Sequence, residues 1–252
     1  MITLATPFAN KQYCFEDYYR GILNLDYPKD DIHCLWYDNS NDKDFHKLLG
    51  EKIKVFKRHQ IVVDETPHMT IENTTDYGKV SYRVAQMYMN LEKFLPESDY
   101  TFIVEDDVEI PPDTLTKLLE IFTRYPKVGT AVGSVSSRRM TDSLFKRPVA
   151  WWFEERRVFP FPDDCREIQV EHKRYQSVPP FGIRIIGTAH TGCWLAPTHL
   201  IKKLHFGYEE DGVKPNDARW GWVLQKAGYY MVMDWSVVCK HWWICDGEKG
   251  YY

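Results

Sequence analysis

The chain has 252 residues, 44% hydrophobic and 27% charged, with a formal net charge of -4 and a pI near 6.1. That is enough chain for one large α/β domain with a real core, and the acidic balance excludes a general nucleic-acid binder, which needs a basic face. The six cysteines (Cys14, Cys34, Cys165, Cys193, Cys239, Cys245) lack CxxC spacing and read as reduced, mostly buried thiols, which excludes a disulfide framework and a zinc knuckle.

Ile2 to Ala5 is a β-prone apolar stretch that Thr6-Pro7 is expected to terminate. Phe15, Tyr18, Tyr19, Ile22 and Leu25 form a helical stripe, which Pro28 breaks. A second strand over 32–37 runs into the polar loop 38–42, followed by a helix over 45–53 and a strand over 55–63. The clearest helix spans 79–95, with Val80, Val84, Met87, Leu91 and Leu95 on one face. A short buried-type strand follows over 100–104, and Pro111-Pro112 opens a helix over 114–124. Residues 128–135 read as a further strand, whereas 136–182 read as an irregular insertion. Strand character returns over 183–195, with helices over 198–204 and 217–227 and a strand over 229–235.

Alternating strands and helices imply a mostly parallel sheet flanked by helices, in a single domain over 1–252 without repeats or linkers. Ligands of such sheets sit beyond the carboxyl ends of the strands. That rule gathers Thr6-Pro7-Phe8, Asp38 and Glu105-Asp106-Asp107 on one edge. No run approaches the ~20 apolar residues that cross a bilayer, and no charged leader precedes an apolar stretch. A cytoplasmic protein is the expectation, with peripheral attachment to a membrane left open.

Adjacent carboxylates repel one another, and a fold tolerates the run Glu105-Asp106-Asp107 best where a cation offsets its charge. Hard divalent ions take such oxygens and complete their shell with substrate phosphates. Strand alternation would put Glu105 and Asp107 on one side and Asp106 on the other. The plain alternative is an acidic turn capping the helix after Pro112. His241 follows the last strand among aromatic residues and is the candidate additional ligand, against a packed histidine as the bland reading. The basic group Arg138, Arg139, Lys146, Arg147 reads as a solvated loop, with phosphate binding as its alternative.

These elements, in this order, resemble the nucleotide-diphospho-sugar transferases of the GT-A fold, glycosyltransferase family 2 above all. The residues that carry the resemblance are Leu4-Ala5-Thr6-Pro7-Phe8-Ala9-Asn10, Asp38-Asn39-Ser40-Asn41-Asp42 and Gly78 to Arg83. Further on they are the acidic turn with Pro111-Pro112 behind it, Gly187 to Gly192, Asn216-Asp217 and His241. The sequence departs from the family pattern at Glu105, where the first acid is usually Asp, and at Asn216, where Glu usually precedes the catalytic Asp.

The resemblance implies a Rossmann-like α/β domain whose residues 1–135 bind the donor, a UDP- or GDP-sugar, and whose residues 136–252 bind a glycan or other hydroxyl acceptor. Thr6, Pro7, Phe8, Asp38, Arg83 and Asp106 would contact the donor. Asp107, with Glu105 or Asp106, and His241 would hold Mn²⁺ or Mg²⁺. Asp217 would be the base of an inverting transfer, with Glu209, Glu210 and Asp211 in reserve and a helix N-cap as its bland role. Trp151, Trp152, Trp220 and Trp222 are either acceptor-stacking residues or core. A nucleotidyltransferase is disfavoured because residues 6–10 carry no glycine or arginine; a binding protein that has lost activity is the other alternative.

Overall fold

A computed structural model describes residues 1–65, 77–135, 150–151, 182–207, 216–245 and 248–251. The first half runs β1 (Ile2–Phe8), α1 (Phe15–Leu23), β2 (Ile32–Asp38), α2 (Lys43–Lys52), β3 (Arg58–Val63), α3 (Tyr77–Glu92), β4 (Tyr100–Val104), β5 (Val108–Glu109), α4 (Thr114–Arg124) and β6 (Val128–Val135). The second half contributes β7 (Ala150–Trp151), β8 (Ile183–Ile186), β9 (Thr188–Ala189), β10 (Cys193–Pro197), α5 (Thr198–Leu204), α6 (Asn216–Lys226), β11 (Tyr230–Cys245) and β12 (Glu248–Tyr251).

The main sheet runs β12-β11-β6-β10-β4-β1-β2-β3. β3, β2, β1 and β4 are mutually parallel, as are β11 and β6; β10 lies antiparallel between β4 and β6. The chain leaves β1 toward β2 and β3 and then returns to β1's other side as β4. The order therefore reverses between β1 and β4, the place where open α/β sheets take their ligands. Every residue of β1 is buried, as a central parallel strand requires.

One face is built by the interlocking rings of Phe8, Phe15, Tyr18, Trp36 and Phe45, which dock α1 and α2 on β1 and β2. On the opposite face Tyr37 meets Phe94 just beyond α3. Asp42 caps α2, accepting from the amides of Asp44 and Phe45, so the helix begins ahead of its first apolar residue. A single apolar cluster runs from Ile2 through to Cys239 and joins both halves of the chain.

Three expectations needed revision. Pro7 does not end β1, which continues to Phe8. The Phe8 carbonyl accepts from Asn39, so the polar groups of Phe8 face β2 and those of Pro7 face the β4 side. There the ladder has stopped at Ala5, and the missing proline amide breaks no pairing. In α3 the buried side chains are Ala85, Met87, Tyr88 and Leu91, whereas Val84 is exposed; Val80 lies among residues whose side chains are not described. β11 continues well past Trp235. Its pairing with β6 slips between Asp234 and Val238, where the Asp234 carboxylate accepts from the Ser236 amide, and the strand resumes as far as Cys245.

Candidate active site

β4 ends at Val104, and the three acids that follow form a turn closed by the Val108 amide on the Glu105 carbonyl, 3.1 Å. Each acid has its own partners, which is how the turn limits their mutual repulsion. Asp106 accepts from the Ala9 amide at 2.7 Å, pinning the end of β1 to the end of β4. Glu105 accepts from the Tyr88 hydroxyl at 2.9 Å and from the Thr191 hydroxyl, with His190 Nδ1 3.5 Å away. Burial, and next the neighbouring Glu105 charge, push the Tyr88 hydroxyl well above its usual range, which keeps it a donor. Asp107, 1% exposed, has one oxygen 3.1 Å from Lys11 Nζ and the other 3.5 Å from His241 Nε2. Glu105 thus faces His190 and Asp107 faces His241, the two rings lying 5.4 Å apart, while Asp106 turns to Ala9. The backbone that does this is a turn, where strand alternation was expected.

The slip in β11 is what brings His241 here. After it, His241 pairs with Val108 of β5, and the Trp242 amide donates to the Asp107 carbonyl at 2.8 Å. His190 arrives from the β9–β10 turn, its carbonyl accepting from the Trp194 indole. Two donors on one small divalent ion stand about 3–4 Å apart, and the Asp107–His241 separation of 3.5 Å fits that spacing. A hard carboxylate with an imidazole is a donor set of the kind Mn²⁺ accepts. Among the described residues, no group of three or more His, Cys, Asp or Glu side chains is already arranged as a metal cage. A cation here would take Asp107 and His241 and draw further oxygens from a substrate.

A second polar group is built where β1, β2 and β3 finish. Asp38 is fully buried; its carboxylate accepts from the Ser40 amide at 3.0 Å and contacts His46 Nδ1 of α2. Asp64, just after β3, donates its amide to the Asp38 carbonyl and accepts the Tyr37 hydroxyl, while Asn39 donates to the Asp64 carbonyl. Burial first, then the Asp64 carboxylate, push the Tyr37 hydroxyl upward, and the Arg83 guanidinium acts against them. Arg83 is half-buried and donates to Gln86 at 3.0 Å. The side chains of Thr6 and Phe8 are core: the Thr6 hydroxyl bonds the Tyr18 hydroxyl at 2.6 Å, and Phe8 sits among the aromatic rings.

Asp217 is half-buried in the first turn of α6, and its carbonyl accepts from Thr188 at 2.6 Å. That bond ties the start of α6 to β9, two residues from His190. Asn216 accepts from the Gly207 amide at 3.3 Å. Trp220 is core, its indole bonded to Thr130, and Trp222 lies under the Lys226 ammonium. Glu209, Glu210, Asp211, Trp152, Cys165 and the basic group 138–147 lie outside the described residues. Cys14, Cys34, Cys193 and Cys239 are buried free thiols.

Sequence reading did not single out Lys11, His46, Asp64, Tyr88 or Thr191. Asp64 had a signal, a carboxylate ending an apolar strand as Asp38 does. Lys11, Tyr88 and Thr191 matter only through partners far away in the chain.

No family model matches the chain, and no curated protein matches its sequence. Solved structures do resemble it. The mannosyltransferase PcManGT from Pyrobaculum calidifontis, in complex with GDP-Man and Mn²⁺, matches 94% of this chain and 55% of its own with a TM-score of 0.61 at 16% identity. GalNAc-T7 with UDP, GalNAc and Mn²⁺ matches 98% of this chain and 44% of its own, TM-score 0.68 at 10% identity. S. aureus TarS 1-349 in complex with UDP-GlcNAc matches 92% and 55%, TM-score 0.54 at 14% identity. The chain spans about half the length of these proteins. It has their fold, the GT-A fold. Among the described residues no helix is long and apolar enough to cross a membrane.

Proposed function

We propose that this chain with a GT-A fold transfers a sugar from a nucleoside diphosphate donor to an acceptor hydroxyl, with the help of Mn²⁺ or Mg²⁺. The observation that carries the reading is the meeting of Asp107 and His241 at the β1–β4 reversal, 3.5 Å apart and nearly sealed from solvent. The acid comes from the turn after β4 and the imidazole from strand β11, more than a hundred residues later, and the fold closes them on one point. GDP-Man, UDP-GlcNAc and UDP with Mn²⁺ in the similar structures support this class of donor.

In this reading the nucleoside lies over the ends of β1 to β3, near Asp38, Asp64 and Arg83, and the segment Thr6-Pro7-Phe8 meets it through its backbone. Asp106 locks the β1 end in place through Ala9. Asp107 and His241 would hold the metal, which would supply positive charge to offset the charge on the departing diphosphate. Glu105, held by Tyr88 and Thr191, orients His190 beside that site. Asp217 removes the acceptor hydroxyl's proton at its carboxylate as the new glycosidic bond forms, which makes the transfer inverting. Residues 1–135 serve the donor and 136–252 the acceptor.

The test is a calorimetric and thermal-shift screen of UDP, GDP and their sugars with Mn²⁺, followed by product analysis. Metal-dependent binding of one donor and release of a nucleoside diphosphate are expected, with proton NMR giving an inverted anomer. No donor binding across the panel would refute the reading, and a retained anomer would remove Asp217 as base.

A further inference from the structure

Asp107 is almost wholly buried, and an ionised carboxylate in that position needs a nearby cation. Lys11 supplies one: its ammonium lies 3.1 Å from Asp107 Oδ2, with the side chain 22% exposed. The segment carrying Lys11 is fixed on every side. The Ala9 amide is bound by Asp106, the Asn10 amide by Ser40 Oγ at 3.1 Å, and the Asn10 carbonyl oxygen of the side chain accepts from the Asn41 amide at 2.8 Å. Asn10 itself takes a left-handed conformation, φ 57°, which turns the chain so that Lys11 meets the acidic turn.

We infer that Lys11 is the resident counter-cation of Asp107 and that a divalent ion must displace it to bind. The inference rests on the reading of Asp107 and His241 as metal donors. An ammonium and a divalent ion on one carboxylate repel at the roughly 3–4 Å separations of a shared partner, so the two compete. In the same position the Lys11 ammonium also lies 5.7 Å from the centre of the Tyr13 ring, so its own segment helps hold it beside the acidic turn. Lys11 is thus a positioning residue that sets metal affinity: it keeps the empty site charge-balanced and holds ambient cations off until a donor brings further oxygens.

The experiment titrates Mn²⁺ into the full chain without nucleotide, following the free-ion paramagnetic resonance signal. Wild type, Lys11→Met, Lys11→Gln and Lys11→Arg are compared, each with and without Asp107→Asn. Lys11→Met and Lys11→Gln are expected to bind Mn²⁺ about fivefold or more tightly than wild type, Lys11→Arg to stay close to wild type, and Asp107→Asn to abolish the site in every background. Melting curves give a second readout, since Mn²⁺ should restore the stability of Lys11→Met more than it raises that of wild type. Equal or weaker Asp107-dependent binding in Lys11→Met and Lys11→Gln overturns the assignment of Lys11 and leaves the metal reading standing. No Asp107-dependent binding in any background, when the titration is repeated with UDP and with GDP present, overturns the metal reading itself.

Discussion

Asp217 stands in the first turn of α6 with its carbonyl held by Thr188, so replacing its carboxylate by an amide leaves the backbone anchor in place. Asp217→Asn is therefore expected to keep donor affinity, read by calorimetry, while transfer falls by about 10²- to 10⁴-fold. Unchanged turnover would return Asp217 to a capping role. Tyr88 makes a different prediction, because its hydroxyl stays neutral and donates to Glu105. Tyr88→Phe leaves that carboxylate short of a donor and should cost about 1–3 kcal/mol in urea unfolding. At this scale Asp38, Asp107 and His241 stood out because each ends or follows an apolar run, and the structure brings Asp107 and His241 together; Asp217 stood out only through a resemblance to a known family. Lys11 was not, because a single lysine after a strand carries no mark of the carboxylate it will meet nearly a hundred residues later.

Between elements, close approach and charge decide what a substitution does. A Cβ on Gly221 would stand 2.3 Å from the Gly187 carbonyl oxygen, where α6 lies directly against the backbone before β9. Backbone cannot swing aside as a side chain does, so Gly221→Ala should lose about 3 kcal/mol or more by chemical denaturation. Gly50, inside α2, meets nothing within 4 Å, and Gly50→Ala should gain about 0.5–1 kcal/mol in the same assay. Asp17 of α1 ties that helix to β12 through Lys249 and is also paired with Arg20. Burial alone would raise its pKa, but the two cations outweigh burial and hold it below the ordinary 3.8. The folded chain then binds this proton less readily than the unfolded one. The pair's stabilisation is complete above the ordinary value and fades as pH falls through the lowered one. Asp17→Asn should therefore flatten the acid limb of a stability–pH curve below about pH 4; an unchanged limb would show that the pair does not couple α1 to β12. The elements themselves were legible where a local signal was strong, as with the apolar stripe of α1 and the prolines ahead of α4. The slip in β11 was not, because what lets it form is the adjacent β6.

For the molecule as a whole, the reversal between β1 and β4 is the feature that matters, since that is where open α/β sheets take their ligands. A ligand bound there binds the folded state only. A true donor with Mn²⁺ at about a hundred times its Kd should raise the melting temperature by roughly 5–10 °C. The same nucleotide with chelator should give much less, and an equal shift with chelator would argue against the metal.

The amino-acid sequence by itself determined the alternation of strands and helices, the parallel character of the sheet and the edge on which its polar residues gather. Those follow from hydrophobic period and from turn residues, which act over a few positions of the chain. Only the tertiary structure decided that Glu105 would be held by Tyr88 and Thr191, that Asp106 would lock Ala9, and that Lys11 and His241 would meet at Asp107. Such meetings depend on sheet order and on one displaced register in β11, both settled by how distant strands pair and pack.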